Sequence, residues 1–330
     1  MNPILSDVET ALDSLTLVRD DLVRVEVELR EGAVCSVEAV TAIGRHLQAG
    51  GGKRIRAGLV LLAARMSPCP APARVRLAAI VEMIHAATLI HDDVLDTAAL
   101  RRGRPSANAL WGNQRSVLAG DWLYMQAFRL ALGERNFAIL DALIALTQQM
   151  VEGELLQLEM QGRIVTAEEH LALIERKTAR LFSVASQLGA MAAGEPEECI
   201  ECLGRFGYHL GLAFQMVDDL LDFTAAAEML GKPVGSDLRE GKMTLPAIYC
   251  YASSDGDGRA LLDQVLRGGP APARTWARVQ ELVAAHGLEP ARREAREQAE
   301  RALAALAAFP ASPWKAALAR LPEMVIARDR

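Results

Sequence analysis

An all-α fold in a single domain is what this sequence predicts, and three observations carry the expectation. Aromatic residues make up only 5% of the chain while Ala and Leu are abundant, a balance that favours helix over sheet. Nearly every segment repeats its apolar residues with helical period. No Ser/Gly/Pro linker divides the 330 residues, and 51% apolar content is ample for one large core.

The elements follow in order. A first amphipathic helix is expected over residues 5–31 and a second over about 36–48, ended by Ala49-Gly50-Gly51-Gly52. A third starts near Lys53 and stops before Pro68. A long helix covers about 73–97, and Arg101-Arg102-Gly103-Arg104-Pro105 breaks the pattern. Further helices are expected over 106–132, 135–161, 167–193 and 196–226. After the loop Gly231–Gly241, shorter helices lead to a helical tail. No segment reads as a strand.

Composition excludes several functions. Net charge is −6 with no basic block, so nucleic acid is not an expected partner. The five cysteines are odd in number and scattered, which points to a reducing compartment. Cys199-Ile-Glu-Cys202 has zinc-ligand spacing, but no second pair follows, so it reads as two helical cysteines. No run of 18 uncharged apolar residues exists to span a membrane, and the N-terminus lacks a signal-peptide layout. A cytoplasmic protein is expected.

Two acidic clusters carry the chemistry: Asp92-Asp93-Val94-Leu95-Asp96 and Asp218-Asp219-Leu220-Leu221-Asp222. Each lies in an apolar helical run, and carboxylates at i and i+4 share a face. Burying such charge is costly unless it is paired or metal-bound. Two facing clusters would hold hard divalent cations, Mg²⁺ first, and through them a diphosphate. The face of the first cluster runs back through Thr88, His85, Val81 and Ala78. That of the second runs through Gln215, Gly211, Gly207 and Gly204. Glycine in a helix costs up to about 1 kcal/mol against alanine. Three on one face mean either close helix packing or a lined cavity.

Basic signals accompany the clusters. Gly50-Gly51-Gly52-Lys53-Arg54-Ile55-Arg56 joins a flexible loop to a helix start, where backbone N–H groups attract anions. Arg101 and Arg102 follow the first cluster, where arginine can grip phosphate bidentately. Lys177-Thr178 is a weaker signal of the same type.

These residues resemble the trans-isoprenyl diphosphate synthase (polyprenyl synthetase) family. The matching signatures are GGKRIRA at 51–57, HDDVLD followed by RRGRPSAN, GDW at 120–122, RKTARLF at 176–182, FQMVDDLLD at 214–222 and LGKPVGSDLREGKMTLP at 230–246. They run in the family's order across essentially the whole chain. The resemblance implies a bundle of antiparallel helices around a deep central cavity (the isoprenoid synthase type I fold), usually a homodimer. It implies Mg²⁺, three ions per site, and condensation of isopentenyl diphosphate onto an allylic diphosphate with E geometry. It makes Asp92, Asp96 and Asp218 the main metal ligands, with Asp93, Asp219 and Asp222 in support. By the same resemblance Arg101, Lys177, Lys232 and Lys242 hold the allylic diphosphate. Lys53, Arg56, His85 and Arg102 hold isopentenyl diphosphate, and Thr178 and Gln215 lie beside the cation. Released diphosphate is the proton acceptor. Two departures stand out: Ala57 replaces the family's usual proline, and Thr97-Ala98-Ala99-Leu100 lacks the acidic residues common there.

Chain length is expected to be set one turn below Asp92, where aromatic residues close the cavity in short-product members. Ala87 and Thr88 are small instead. An open floor lets the product grow to about C35–C50, octaprenyl-like and of the kind used as a quinone side chain, each buried CH₂ adding about 0.8 kcal/mol. Farnesyl or geranylgeranyl diphosphate is the expected primer, and any membrane contact is peripheral. The competing readings are a short-chain farnesyl or geranylgeranyl synthase and a non-catalytic regulatory subunit. Such subunits usually lack an acidic cluster or the basic residues, and this chain keeps both. A class I terpene cyclase would carry a different second motif.

Overall fold

A computed structural model describes residues 15–52, 54–225, 234–267 and 272–328. The N-terminal half builds inward. α1 (Arg19–Gly32) and α2 (Glu38–Ala49) lead to α3 (Ile55–Met66). Residues Ala57 through Ala64 of α3 are all buried, as a helix apolar on every side must be. α4 (Ala71–Leu95) starts after Pro70 and carries Pro72 in its first turn, where a residue without an N–H leaves no donor to satisfy. It carries the first acidic cluster at its C-terminal end.

The break after α4 contains a small antiparallel hairpin, β1 (Leu100–Arg101) against β2 (Arg104–Pro105), where the sequence reading has no strand. Arg102 and Gly103, with φ of 53° and 73°, form its two-residue turn. Both central residues need positive φ in the hairpin turn that matches strand twist. The helix expected over 106–132 is two helices, α5 (Ala107–Trp111) and α6 (Asn113–Gly133), because Gly112 at φ 80° interrupts it.

α7 (Phe137–Met160) is capped by the Asn136 side chain. α8 (Ala167–Ile174) begins with a Thr166/Glu169 capping box. It runs through a π turn over Glu175–Ala179 into α9 (Arg180–Ala193). α10 (Glu197–Thr224) packs mainly on α9 and on α15 (Leu288–Ala305). Between them lie α11 (Ser236–Arg239), α12 (Leu245–Ser253), α13 (Gly256–Leu266) and α14 (Ala273–His286). The described chain closes with α16 (Pro313–Ala327) against α3 and α10.

The glycine face of α10 is a packing face. A Cβ on Gly207 would fall 2.2 Å from the Phe182 carbonyl oxygen, and one on Gly211 would fall 2.6 Å from the Ala179 Cα. Neither places its missing side chain in a cavity: the π turn and α9 fill the space. The main core joins buried residues of α3, α4, α9, α10, α15 and α16, and a second apolar cluster lies under α11 to α14. All five cysteines are unpaired. Among the described residues no helix is long and apolar enough to cross a membrane.

Candidate active site

Two neighbouring cavities of about 750 and 300 Å³ share Arg56, His85 and Leu89 as a common wall. Both acidic clusters reach this region because α4 and α10 point their C-terminal ends to it. The smaller cavity takes Asp92 and Thr88 from α4, Gln215 and Asp219 from α10, and Lys177 and Thr178 from the π turn. The extra residue of that turn lets Lys177 and Thr178 both line the cavity.

The six aspartates are not equivalent. Asp93, Asp219 and Asp222 are fully buried and tied to the protein. Asp93 accepts from Arg101 Nε at 2.7 Å. Asp219 accepts from His170 Nε2 at 2.8 Å and Gln215 Nε2 at 3.1 Å. Asp222 accepts from Ser236 Oγ at 2.7 Å and the Asp237 N–H at 3.1 Å, which fixes the start of α11. Asp92 Oδ1 and Asp93 Oδ2 are both buried without a hydrogen-bond partner. Asp96 meets Lys242 Nζ at 3.2 Å, and Asp218 meets Arg328 Nη1 at 2.9 Å.

Burial raises the Asp93 carboxyl against the pull of Arg101. Burial, reinforced by Glu154, pushes the Asp92 carboxyl up to about 7. Burial raises Asp218 against the pull of Arg328. Burial and then the guanidinium of Arg56 hold His85 well below its ordinary value, so its ring is neutral at pH 7. Its Nε2 can therefore accept from Arg56 Nη1 at 3.2 Å. Arg56 also lies over the Phe182 ring at 4.9 Å.

The larger cavity is lined by both apolar side chains and arginines. Leu210, Phe214, Leu321 and Val325 are among its apolar lining, Arg54, Arg56, Arg101 and Arg102 among its cationic lining, and Arg328 lies over the Phe214 ring. Arg102 donates to the Gly51 carbonyl, so the hairpin and the glycine loop close on each other. Arg54, held at φ 49°, bonds Glu26 at 2.5 Å and Glu82 at 3.1 Å, while Glu82 also accepts from the Ala57 N–H.

Several expected placements change. Arg101 lies on the larger cavity and is bound to Asp93, instead of lining the smaller cavity with Lys177 and Lys242. Ala87 lines neither cavity: it is buried against Ile43, Ala107, Ala119 and Leu123, because it points a third of a turn away from Thr88. Lys53 and Lys232 lie outside the described residues. The sequence reading also misses Glu154 and Gln157, which hold Lys177 Nζ at 2.8 and 2.7 Å, together with His170 and Arg328. Glu154 and Gln157 sit three apart on α7, a polar pair on an apolar helix; a lone histidine gives no such signal.

The donor set is oxygen-only on the acidic side, which suits a hard cation. Among the described residues no three His, Cys, Asp or Glu side chains form a ready-made cage. The fit is of another kind: Asp92 and Asp93 each keep a buried oxygen without a partner, and Asp96 and Asp218 meet the side-chain cations of Lys242 and Arg328.

Comparison with known proteins agrees with this geometry. The polyprenyl synthetase family model matches residues 37–283. The octaprenyl diphosphate synthase of Escherichia coli is 38% identical over 328 residues, 95% of this chain and 98% of that one. A decaprenyl diphosphate synthase from Rhodobacter capsulatus superposes with a TM-score of 0.92 at 37% identity, covering 97% of this chain and 99% of that one. A polyprenyl synthase from Caulobacter crescentus, solved with calcium and isoprenyl diphosphate, superposes at 0.91 and 37% identity over 96% and 98% of the two chains. With both acidic clusters at one pair of cavities and the likeness spanning nearly the whole chain, the protein belongs to the polyprenyl synthetase family and is a trans-prenyltransferase of the isoprenoid synthase type I fold.

Proposed function

We propose that the chain condenses isopentenyl diphosphate onto an allylic diphosphate and repeats the step to a long all-trans polyprenyl diphosphate. The observation that carries this reading is the pair of cavities with a shared wall. The smaller is lined by carboxylates and lysines together with apolar Met150, Leu173, Ile174 and Leu181. The larger is lined by arginines and apolar side chains. Two anionic substrates can thus meet across Arg56, His85 and Leu89. Long-chain relatives, the octaprenyl and decaprenyl synthases among them, support the long product.

In this reading Asp92, Asp96 and Asp218 hold Mg²⁺, three ions per site, with Asp93, Asp219 and Asp222 keeping the clusters in place. Bound Mg²⁺ neutralises the diphosphates and stabilises the leaving group. Without such neutralisation two unit charges 4 Å apart would cost about 4 kcal/mol at an effective dielectric of about 20. Lys177 and Lys242 turn from their carboxylates to the allylic diphosphate. The hydroxyl of Thr178 and the carbonyl of Gln215 present oxygen to the carbon that becomes cationic. Arg56, His85, Arg102 and Lys53 hold isopentenyl diphosphate. The apolar walls exclude water, which would otherwise capture the cation.

The whole chain reads as one such domain, acting as a homodimer in the cytoplasm with at most peripheral membrane contact. Exposed Leu118, Met125 and Leu132 on α6, and Phe137, Ile144, Val151 and Leu158 on α7, recur every seven residues and form stripes suited to a second copy. The test is diphosphate release by the purified chain with isopentenyl and farnesyl diphosphates and Mg²⁺, with the products sized by chromatography. Products of about C35–C50 are expected, as for the long-chain relatives, with the small Thr88 on the wall of the smaller cavity. Termination at C15 or C20 would overturn the long-chain reading, and no release would favour a non-catalytic subunit.

A further inference from the structure

His170 belongs to none of the acidic or basic motifs, yet it is only 3% exposed and lines the smaller cavity. Its Nε2 lies 2.8 Å from Asp219 Oδ2. An ionised carboxylate only accepts, so the ring donates. The other Asp219 oxygen takes Gln215 Nε2 at 3.1 Å, and Gln215 Oε1 takes the Thr178 hydroxyl at 2.8 Å. Four side chains from three segments thus form one connected line whose donors converge on Asp219: His170 donates to it from one side, and Thr178 to Gln215 and Gln215 to Asp219 from the other. Each link fixes the next. Because Asp219 can accept only the amide N–H₂, the Gln215 carbonyl must face Thr178 and the cavity.

We propose that His170 is a positioning residue for the condensation, acting through Asp219 to hold the Gln215 amide with its oxygen toward the allylic carbon. This rests on the prenyltransferase reading above. Asp219 is 2% exposed, and a buried carboxylate that loses a donor must turn to find another. It then no longer holds the amide nitrogen. An amide free to rotate presents N–H to a carbon that is becoming positive, and the transition state loses a favourable dipole. His170 Nδ1 has no hydrogen-bond partner, so Asp219 is the ring's one side-chain anchor and the restraint runs along this line.

The experiment is a double-mutant cycle between two residues that do not bond to each other. His170→Phe lowers kcat about ten-fold, while KM for isopentenyl diphosphate stays within about two-fold. His170→Gln, which keeps an N–H donor, regains at least about half of that loss on a logarithmic scale. In a Gln215→Leu background, His170→Phe costs less than about two-fold more, because the group it positions is gone. Mn²⁺ affinity, read by electron paramagnetic resonance without substrate, is unchanged within about two-fold in His170→Phe. Losses that multiply across the cycle overturn the proposal, and so does a ten-fold fall in Mn²⁺ affinity, which would make His170 a support of the metal site. Should His170→Phe fail to fold, His170→Leu takes its place in the same cycle. Absence of condensation by the wild type would instead defeat the functional reading, which keeps the two failures apart.

Discussion

Asp92 sits where burial and Glu154 work against its charge, and its carboxyl is pushed up to about 7. The sign of the consequence is fixed by linkage. A carboxyl whose pKa rises on folding stabilises the chain fully below its unfolded value near 3.8, and that contribution is lost as pH climbs through 7. The metal-free wild type should therefore lose melting temperature between pH 6 and 8 relative to Asp92→Asn, and Mg²⁺ should restore more at pH 8 than at pH 6. Scanning calorimetry of both proteins with and without Mg²⁺ checks this; equal pH slopes would refute it. Thr88 and Ala87 separate just as sharply. Thr88→Phe should shorten the product while leaving stability near wild type, because its side chain enters the cavity wall. Ala87→Tyr should instead destabilise by about 1–3 kcal/mol through overpacking against Ile43, Ala119 and Leu123. Product sizing beside urea unfolding distinguishes the two. The aspartates were legible in the sequence because charge in an apolar helix demands a reason. His170 and Arg328 were not, since their meaning comes only from which helix end lies opposite.

Helical spacing located nearly all the elements, and its failures have physical causes. Gly112 and the Arg102-Gly103 turn depend on positive φ, which apolar periodicity does not encode. The π turn at Glu175–Ala179 adds one residue to a helix without breaking it, so 167–193 reads as continuous while its faces shift by a residue. The glycine face of α10 was ambiguous for a related reason: small residues let either a helix or a ligand come close. The contact with Phe182 and Ala179 settles it. Gly207→Ala should accordingly destabilise by more than about 1 kcal/mol, since the Cβ meets a backbone carbonyl that cannot move aside. Gly204→Ala should cost less, because the group it meets is the flexible end of Gln187. Equal midpoints in urea for the two variants would contradict this.

The assembled chain leaves seven-residue apolar stripes on α6 and α7 uncovered, with Phe137 75% exposed. Met125→Glu with Phe137→Asp should convert the proposed dimer to monomers in sedimentation velocity, by placing unpaired charge in the interface. An unchanged sedimentation coefficient at the dimer value would exclude this face. Antiparallel packing around a cavity was implied by the family resemblance, but which cation faces which carboxylate was not. Lys177 rests on Glu154, Lys242 on Asp96, Arg101 on Asp93 and Arg328 on Asp218. Loading such a pocket resembles a dance in which partners change while the number of couples stays the same. Few counterions need be set free when a diphosphate arrives, so affinity should decline only gently from 50 to 500 mM salt, far less steeply than the number of cationic side chains lining the cavities implies.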